Sequence, residues 1–165
     1  MCSNCLTRLQ APAQAFLRPG LWCCGVRSLH AAREEWEIPD CTPSKCQESL
    51  LSAVEKIADS EPTGQLQVHK ADRETWFCQI FSLSRSCGWL DVVEVQFRPG
   101  REGGTEASAV SFSTGILPVS IPLAFIWNIF LFWAPFSGNG FNSKRLASLR
   151  EAMQHDVNFT KVNTC

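Results

Sequence analysis

The feature that most constrains this chain is a long uncharged segment in its C-terminal half. Between Ala107 and Ser143 there is no Asp, Glu, Lys or Arg, and the centre of this stretch, Gly115–Phe136, is strongly apolar. That centre is about as long as the roughly 20 residues that a membrane-spanning helix needs. Three prolines interrupt it, and its proline-free part, Leu123–Trp133, would cross only about half of a hydrocarbon core of roughly 30 Å.

Three arrangements therefore remain open for residues 115–136: a membrane span, a shallow or re-entrant insertion, and an apolar hairpin covered by protein. Left in water, the large side chains would form a patch bigger than the few hundred Å² that a soluble monomer usually exposes. We predict that lipid, a partner protein or the chain itself covers them. The side chains expected to make this membrane or partner contact are Leu123, Phe125, Ile126, Ile129, Phe130 and Trp133.

The N-terminal segment predicts the location of the protein in the cell. Residues 1–33 contain four arginines and no acidic residue, and acidic residues begin at Glu34. A segment rich in Arg, Ala and Leu and free of acids is typical of a mitochondrial presequence. The stretch Val26–Ala32 resembles the region before a presequence cleavage site. We therefore predict a mitochondrial, membrane-associated protein. The alternatives are an N-terminal tail without an address, and a location at another intracellular membrane or in the cytoplasm.

Hydrophobic periodicity predicts the order of elements in the remaining chain. Residues 34–45 contain two prolines and are predicted to be a linker. Apolar residues at spacings of three and four predict a helix that begins near Lys45. Strands are predicted at 65–70, 74–83, 89–98 and 105–114, followed by the apolar insert 115–136 and a last helix. The predicted fold class is α+β, a single two-layer domain over residues 46–154 with a tail at 155–165. It has an antiparallel sheet of about four strands and two helices on one face.

Composition and motifs exclude several classes of function. The chain is 45% hydrophobic and 19% charged with a net charge of −1, which argues against a disordered chain and against a basic nucleic-acid binder. No serine stands in a G-x-S-x-G elbow, and His30, His69 and His155 have no partner at metal-ligand spacing. We therefore predict no catalytic, cofactor-binding or metal-binding residue, no cofactor and no nucleic-acid partner. A role other than catalysis is favoured.

Two carboxylates on one predicted strand are the most informative charged residues. Asp91 and Glu94 are three residues apart, so on a strand they point to opposite faces and do not form an acid/base pair. An unpaired charge between helix and sheet would be costly. We therefore expect one carboxylate to be solvated and the other to pair with a cation, with Arg145 and Arg150 of the last helix as candidate partners. A ligand site is the alternative role of these residues.

Cys41 and Cys46 are the cysteines best placed to act together. Their spacing allows a disulfide that closes a small loop in an oxidising compartment. In a reducing matrix they would remain two thiols, so a structural and a redox role both stay open for this pair.

Three motifs share an order and spacing with a known family. They are Asp40-Cys41-Thr42-Pro43-Ser44-Lys45-Cys46, Trp89–Val95 and Gly138–Leu146. The first is similar to the paired cysteines, the second to the central acidic strand and the third to the closing motif of the domain of unknown function 1499 family, in its eukaryotic branch. In the closing motif, Asn142 and a basic residue, Arg145, open the last helix. The match covers about residues 40–152.

The resemblance implies one folded unit but no reaction, because the family has no established activity. The insert of this chain is longer than in the compact bacterial pattern. A single membrane crossing would separate the last helix from its sheet, so the resemblance favours a shallow insertion or a covered hairpin.

The predicted function is that of a membrane-associated binding or assembly module without an identifiable reaction, which contacts a membrane or a partner protein through residues 115–136. The alternative is a soluble carrier of a small apolar ligand, in which the insert covers a cavity formed by the sheet and the helices.

Overall fold

The fold is described by a computed structural model over residues 3–18, 21–22, 30–60, 64–84, 88–134 and 139–162. An antiparallel sheet of six strands lies at its centre, in the order β2-β3-β4-β5-β1-β6. The strands are β1 (Ala31–Ile38), β2 (Gly64–Asp72), β3 (Phe77–Ser84), β4 (Leu90–Pro99), β5 (Thr105–Ser113) and β6 (Asn158–Lys161). Strands β2 to β5 pair consecutively, whereas β1 pairs with β5 and β6.

Helices cover both faces of this sheet. They are α1 (Ser3–Leu17), α2 (Pro43–Ser60), α3 (Ala124–Phe130) and α4 (Asn139–Ala152). Helices α2 and α4 pack on one face, and α1 packs on the other together with the segment that follows β5.

The alternation along β4 explains why there are two apolar layers. Val93, Val95 and Phe97 belong to a large core with α2 and α4. Leu90 and Val92 point the other way and belong to a smaller core that includes alanines of α1. Because successive side chains of a strand point to opposite faces, Asp91 lies on the α4 side and Glu94 on the α1 side.

The α+β class is confirmed, but the predicted count of four strands is wrong. Two further strands, β1 and β6, complete the sheet. Strand β1 includes the first part of the predicted linker 34–45, and α2 begins inside that range at Pro43. The sequence pattern does not reveal β1, because the charged residue Glu34 occupies one of its buried positions. The strand therefore lacks the regular alternation of apolar and polar residues.

Strand β6 lies in the predicted tail 155–165. All four of its residues are exposed, so it carries no apolar alternation that a sequence pattern would show. The strand is held by backbone pairing with β1 at the edge of the sheet.

The predicted arrangement of two helices on one face is also incomplete, because α1 lies on the opposite face. This helix occupies part of the predicted presequence. Residues 23–29, which hold most of the stretch that resembles a cleavage site, lie outside the described residues.

The apolar insert contains one short helix, α3, between irregular segments. None of the described helices combines the length and apolar character needed to cross a membrane. Residues 135 and 136, at the end of the insert, lie outside the described part of the chain.

Candidate functional site

The insert folds against α1, and the side-chain amides of Gln10 and Gln14 hold it there, while a third amide acts within the insert. The Gln10 Nε2 group donates to the backbone oxygens of Val119 and Ile121, both at 3.0 Å. The Gln14 Nε2 group donates to the backbone oxygen of Leu117 at 3.4 Å and to Thr114 Oγ1 at 2.9 Å. Polar side chains of α1 therefore satisfy the irregular backbone of the insert, as buried peptide groups require.

The third amide belongs to α3 itself. Asn128 is buried, accepts from the backbone N–H of Leu117 at 2.9 Å and donates to the oxygen of the same residue at 3.0 Å. A Cβ at Gly115 would lie 2.2 Å from Asn128 Cγ, so only glycine fits this close approach. Asn128 thus joins α3 to the start of the insert and folds this segment back on itself.

With its backbone satisfied internally, the insert turns large apolar side chains to the outside. Trp127, Phe130 and Trp133 are 56%, 65% and 63% exposed. Phe125 and Ile129 are only half-buried in the same segment. We call the exposed set the aromatic surface, and it comprises Ile121, Leu123, Ile126, Trp127, Phe130 and Trp133.

Helix α1 extends the aromatic surface. An apolar groove of about 340 Å³ separates its Leu6 and Leu9 from Leu123 and Phe125 of the insert. Leu9 and Phe16 of α1 are exposed as well and lie seven residues apart, on one helical face. The helix and the insert therefore present one apolar side of the molecule.

The charged residues in the layer formed by α1 and the insert are basic. The described residues 3–18 and 107–134 hold Arg8 and Arg18 and no Asp or Glu. Arg8 is exposed. Arg18 reaches under the helix to Glu94, with its Nη1 atom 2.7 Å from Glu94 Oε2, and Gln79 donates to the other carboxylate oxygen. Glu94 therefore pairs with Arg18, the residue that follows α1, and not with a candidate partner on the last helix.

Asp91 and Arg145 meet on the opposite face of the sheet. The Arg145 Nη2 atom lies 2.9 Å from Asp91 Oδ2, and both side chains are largely buried. Arg145 Nη1 also donates to Asn142 Oδ1 at 3.2 Å. The structure thus brings together three of the residues that the sequence singled out.

Asn142 is the centre of this group. It is fully buried and accepts a hydrogen bond from Ser111 Oγ at 2.8 Å. Its Nδ2 group donates to the backbone oxygen of His30 at 2.9 Å and to Ser113 Oγ at 3.2 Å. One amide therefore ties α4 to β5 and to the residue that precedes β1.

Arg150 does not reach Asp91 or Glu94. Its Nη1 atom lies 2.6 Å from Glu34 Oε2, and Trp36 Nε1 donates to the same oxygen at 2.8 Å. The guanidinium lies 3.4 Å from the ring centre of Phe159 on β6, a cation–π contact. Glu34 stands at an inward-facing position in the alternation of β1. Because a buried carboxylate needs a cation as its partner, this position indicates a buried ion pair.

Cys41 and Cys46 are in contact as buried thiols, with their sulfurs 2.6 Å apart. His155 Nε2 lies 3.5 Å from Cys41 Sγ. Burial, together with the hydrogen bond to Cys41, raises the pKa of Cys46 to about 12. Cys46 is therefore protonated at neutral pH and is not an activated nucleophile. Within the described ranges, no group of three or more His, Cys, Asp or Glu side chains is arranged to hold a metal ion.

Comparisons with known proteins leave the chain without a family. No family model matches it, and no curated protein matches it significantly. Among solved structures it is similar to the crystal structure of Ara h 8.0201, at 11% identity and a TM-score of 0.43. That alignment covers 74% of this chain and 94% of the other. A likeness this distant carries no argument about function.

Proposed function

We propose that this protein is a binding module that docks on a membrane surface through the aromatic surface, without crossing the bilayer. The observation that carries the proposal is the outward orientation of Trp127, Phe130 and Trp133 from a segment that is held to the fold by hydrogen bonds at Leu117, Val119 and Ile121. Tryptophan is enriched at membrane interfaces, because its ring is apolar and its N–H is polar. Trp133 Nε1 donates to the backbone oxygen of Phe130, so its polar atom is already satisfied.

The charge distribution supports the proposal that lipid contacts the aromatic surface. The layer formed by α1 and the insert has an exposed arginine and, within its described residues, no acidic residue. Each basic residue near an anionic leaflet adds about 1 kcal/mol of attraction. The rest of the described chain is acidic. Because an anionic membrane attracts the basic layer and repels the acidic remainder, the molecule is oriented with this layer towards the lipid.

Sedimentation with lipid vesicles tests the proposal. We expect the protein to pellet with vesicles of phosphatidylcholine containing a minor fraction of phosphatidylserine. Replacing Trp127 and Trp133 together by serine should weaken this partitioning about 10-fold or more, because two large apolar contacts with lipid are lost. The matched control is Phe141→Ser, since Phe141 is equally exposed but lies on α4, on the opposite side of the sheet.

Circular dichroism of each variant establishes that the sheet is intact. A double tryptophan variant that pellets like the wild type would show that the aromatic surface is not the anchor. A wild-type protein that stays in the supernatant with these vesicles would show that something other than lipid covers the aromatic surface.

We also propose that residues 1–33 direct import into mitochondria and remain attached afterwards. The four arginines without an acid support import. Retention is supported by the contacts of α1, because Gln10, Gln14 and Arg18 all bond to the rest of the fold.

A reporter fused to residues 1–33 should enter mitochondria, and changing Arg8, Arg18 and Arg27 to glutamate should leave it in the cytosol. The same three positions changed to lysine form the control, since they keep the charge. The mass of the full protein from purified mitochondria should include α1. A cytosolic reporter contradicts import, and a shortened protein contradicts retention.

Kinship with the domain of unknown function 1499 family remains our proposal for the origin of this fold. It is supported by a contact between two of the three motifs, because Asp91 of the acidic strand pairs with Arg145 of the closing motif.

A further inference from the structure

A second cavity lies on the face of the sheet that is turned away from the aromatic surface. It has a volume of about 450 Å³ and opens between α4, the end of α2 and strands β2 to β4. This volume falls within the range of roughly 300–1,000 Å³ that is typical of small-molecule sites. Its apolar wall is formed by Ile57, Leu66, Phe141 and Leu149.

The rest of the wall is polar and is arranged around α4. Lys144, Arg145 and Ser148 lie on one side of that helix, and Ser82 and Ser84 face them from β3. The cavity therefore joins an aliphatic wall to a group of hydrogen-bond donors. Such a division suits a ligand with a polar head and a short apolar chain.

The charges of the cavity favour an anionic head. Asp91 is the acidic residue of the wall, and its carboxylate is already paired with Arg145 at 2.9 Å. A guanidinium carries five N–H groups. Among the described residues, Arg145 donates only to Asp91 and Asn142, so it has further N–H groups to offer a ligand. Lys144 is exposed and forms no ion pair within the described chain. One positive charge therefore remains uncompensated in the wall.

We propose that this cavity binds a single-chain amphipathic anion. Its head lies against Lys144, Arg145 and the serine hydroxyls, and its chain lies along the half-buried side chains of Ile57 and Leu66. The site is independent of the membrane-docking proposal, since the two are separated by the sheet.

Titration calorimetry with decanoate, and with decanol as the uncharged probe of equal chain length, tests the proposal. We expect decanoate to bind and decanol to bind more weakly. Lys144→Gln should weaken decanoate binding about 2- to 5-fold, as expected for an exposed ion pair, and leave decanol unchanged. Because Lys144 is exposed and outside the ion pairs of the core, this variant is expected to fold normally.

A second substitution tests the position of the site. Ser148→Trp places a large ring in the cavity and should abolish binding of both probes. Ser52→Trp is its matched control, because Ser52 is an exposed serine of α2 that is not part of the cavity wall. Decanoate binding that survives Ser148→Trp would overturn the site. Equal binding of decanoate and decanol, or no response to Lys144→Gln, would overturn the anionic head.

The Trp127→Ser/Trp133→Ser variant separates the two proposals. It should bind decanoate like the wild type while losing its affinity for vesicles. If it loses decanoate instead, the probe binds at the aromatic surface and the cavity proposal is wrong.

Discussion

Replacing Arg150 by methionine is expected to lower the free energy of unfolding by about 3–5 kcal/mol. The substitution leaves the Glu34 carboxylate, whose side chain is only 3% exposed, without the cation 2.6 Å away. Trp36 Nε1 would remain as its one described donor. The cation–π contact with Phe159 on β6 is lost in the same step. Chemical denaturation monitored by circular dichroism measures the effect.

Arg33 provides the matched control, because it forms an ion pair with Glu35 on the same strand but with both side chains nearly half exposed. Arg33→Met is expected to cost about 0–1 kcal/mol. Adding Glu34→Gln to Arg150→Met should recover part of the loss by removing the buried charge. An Arg150→Met protein as stable as the Arg33→Met protein would show that the pair is hydrated rather than buried.

Replacing Asn142 by leucine is expected to cost about 2–5 kcal/mol, since two or more buried groups lose their hydrogen bond at about 1–3 kcal/mol each. The groups affected are the hydroxyls of Ser111 and Ser113 and the backbone oxygen of His30. Denaturation of the variant against Asn158→Leu, an exposed position on β6, provides the measurement and its control. Equal stability of the two variants would contradict the role of Asn142 as the link between α4 and the sheet.

Local patterns in the sequence predicted the middle of the fold well. The strand predicted at 89–98 is β4, Leu90–Pro99, and the helix predicted from Lys45 is α2, Pro43–Ser60. The opposite orientation of Asp91 and Glu94 follows from the period of a strand, and the structure places them on opposite faces. These features depend on residues that are close along the chain.

The features that were missed depend on distant partners. Glu34 is compatible with a buried strand only because Arg150 lies across from it, more than a hundred residues later. The amides of Gln10 and Gln14 bond to backbone oxygens of the insert at a similar separation. No local pattern shows that these polar side chains face inwards, so β1 was interpreted as a linker and α1 as a segment outside the domain.

The attachment of α1 has a consequence for how the molecule opens. Helix α1 packs towards the sheet through two small residues, Ala11 and Ala15. It is also held by Gln10 and Gln14, whose Oε1 atoms have no hydrogen-bond partner among the described residues. The opposite face is held by Trp36, Phe97 and large aliphatic side chains. Stability is therefore uneven, and we expect α1 to detach locally at a lower cost in free energy than α2 or α4. We expect the N-terminal helix to leave and return as a unit while the six-stranded sheet stays folded. The import signal that we propose and one wall of the folded protein would then be formed by the same residues.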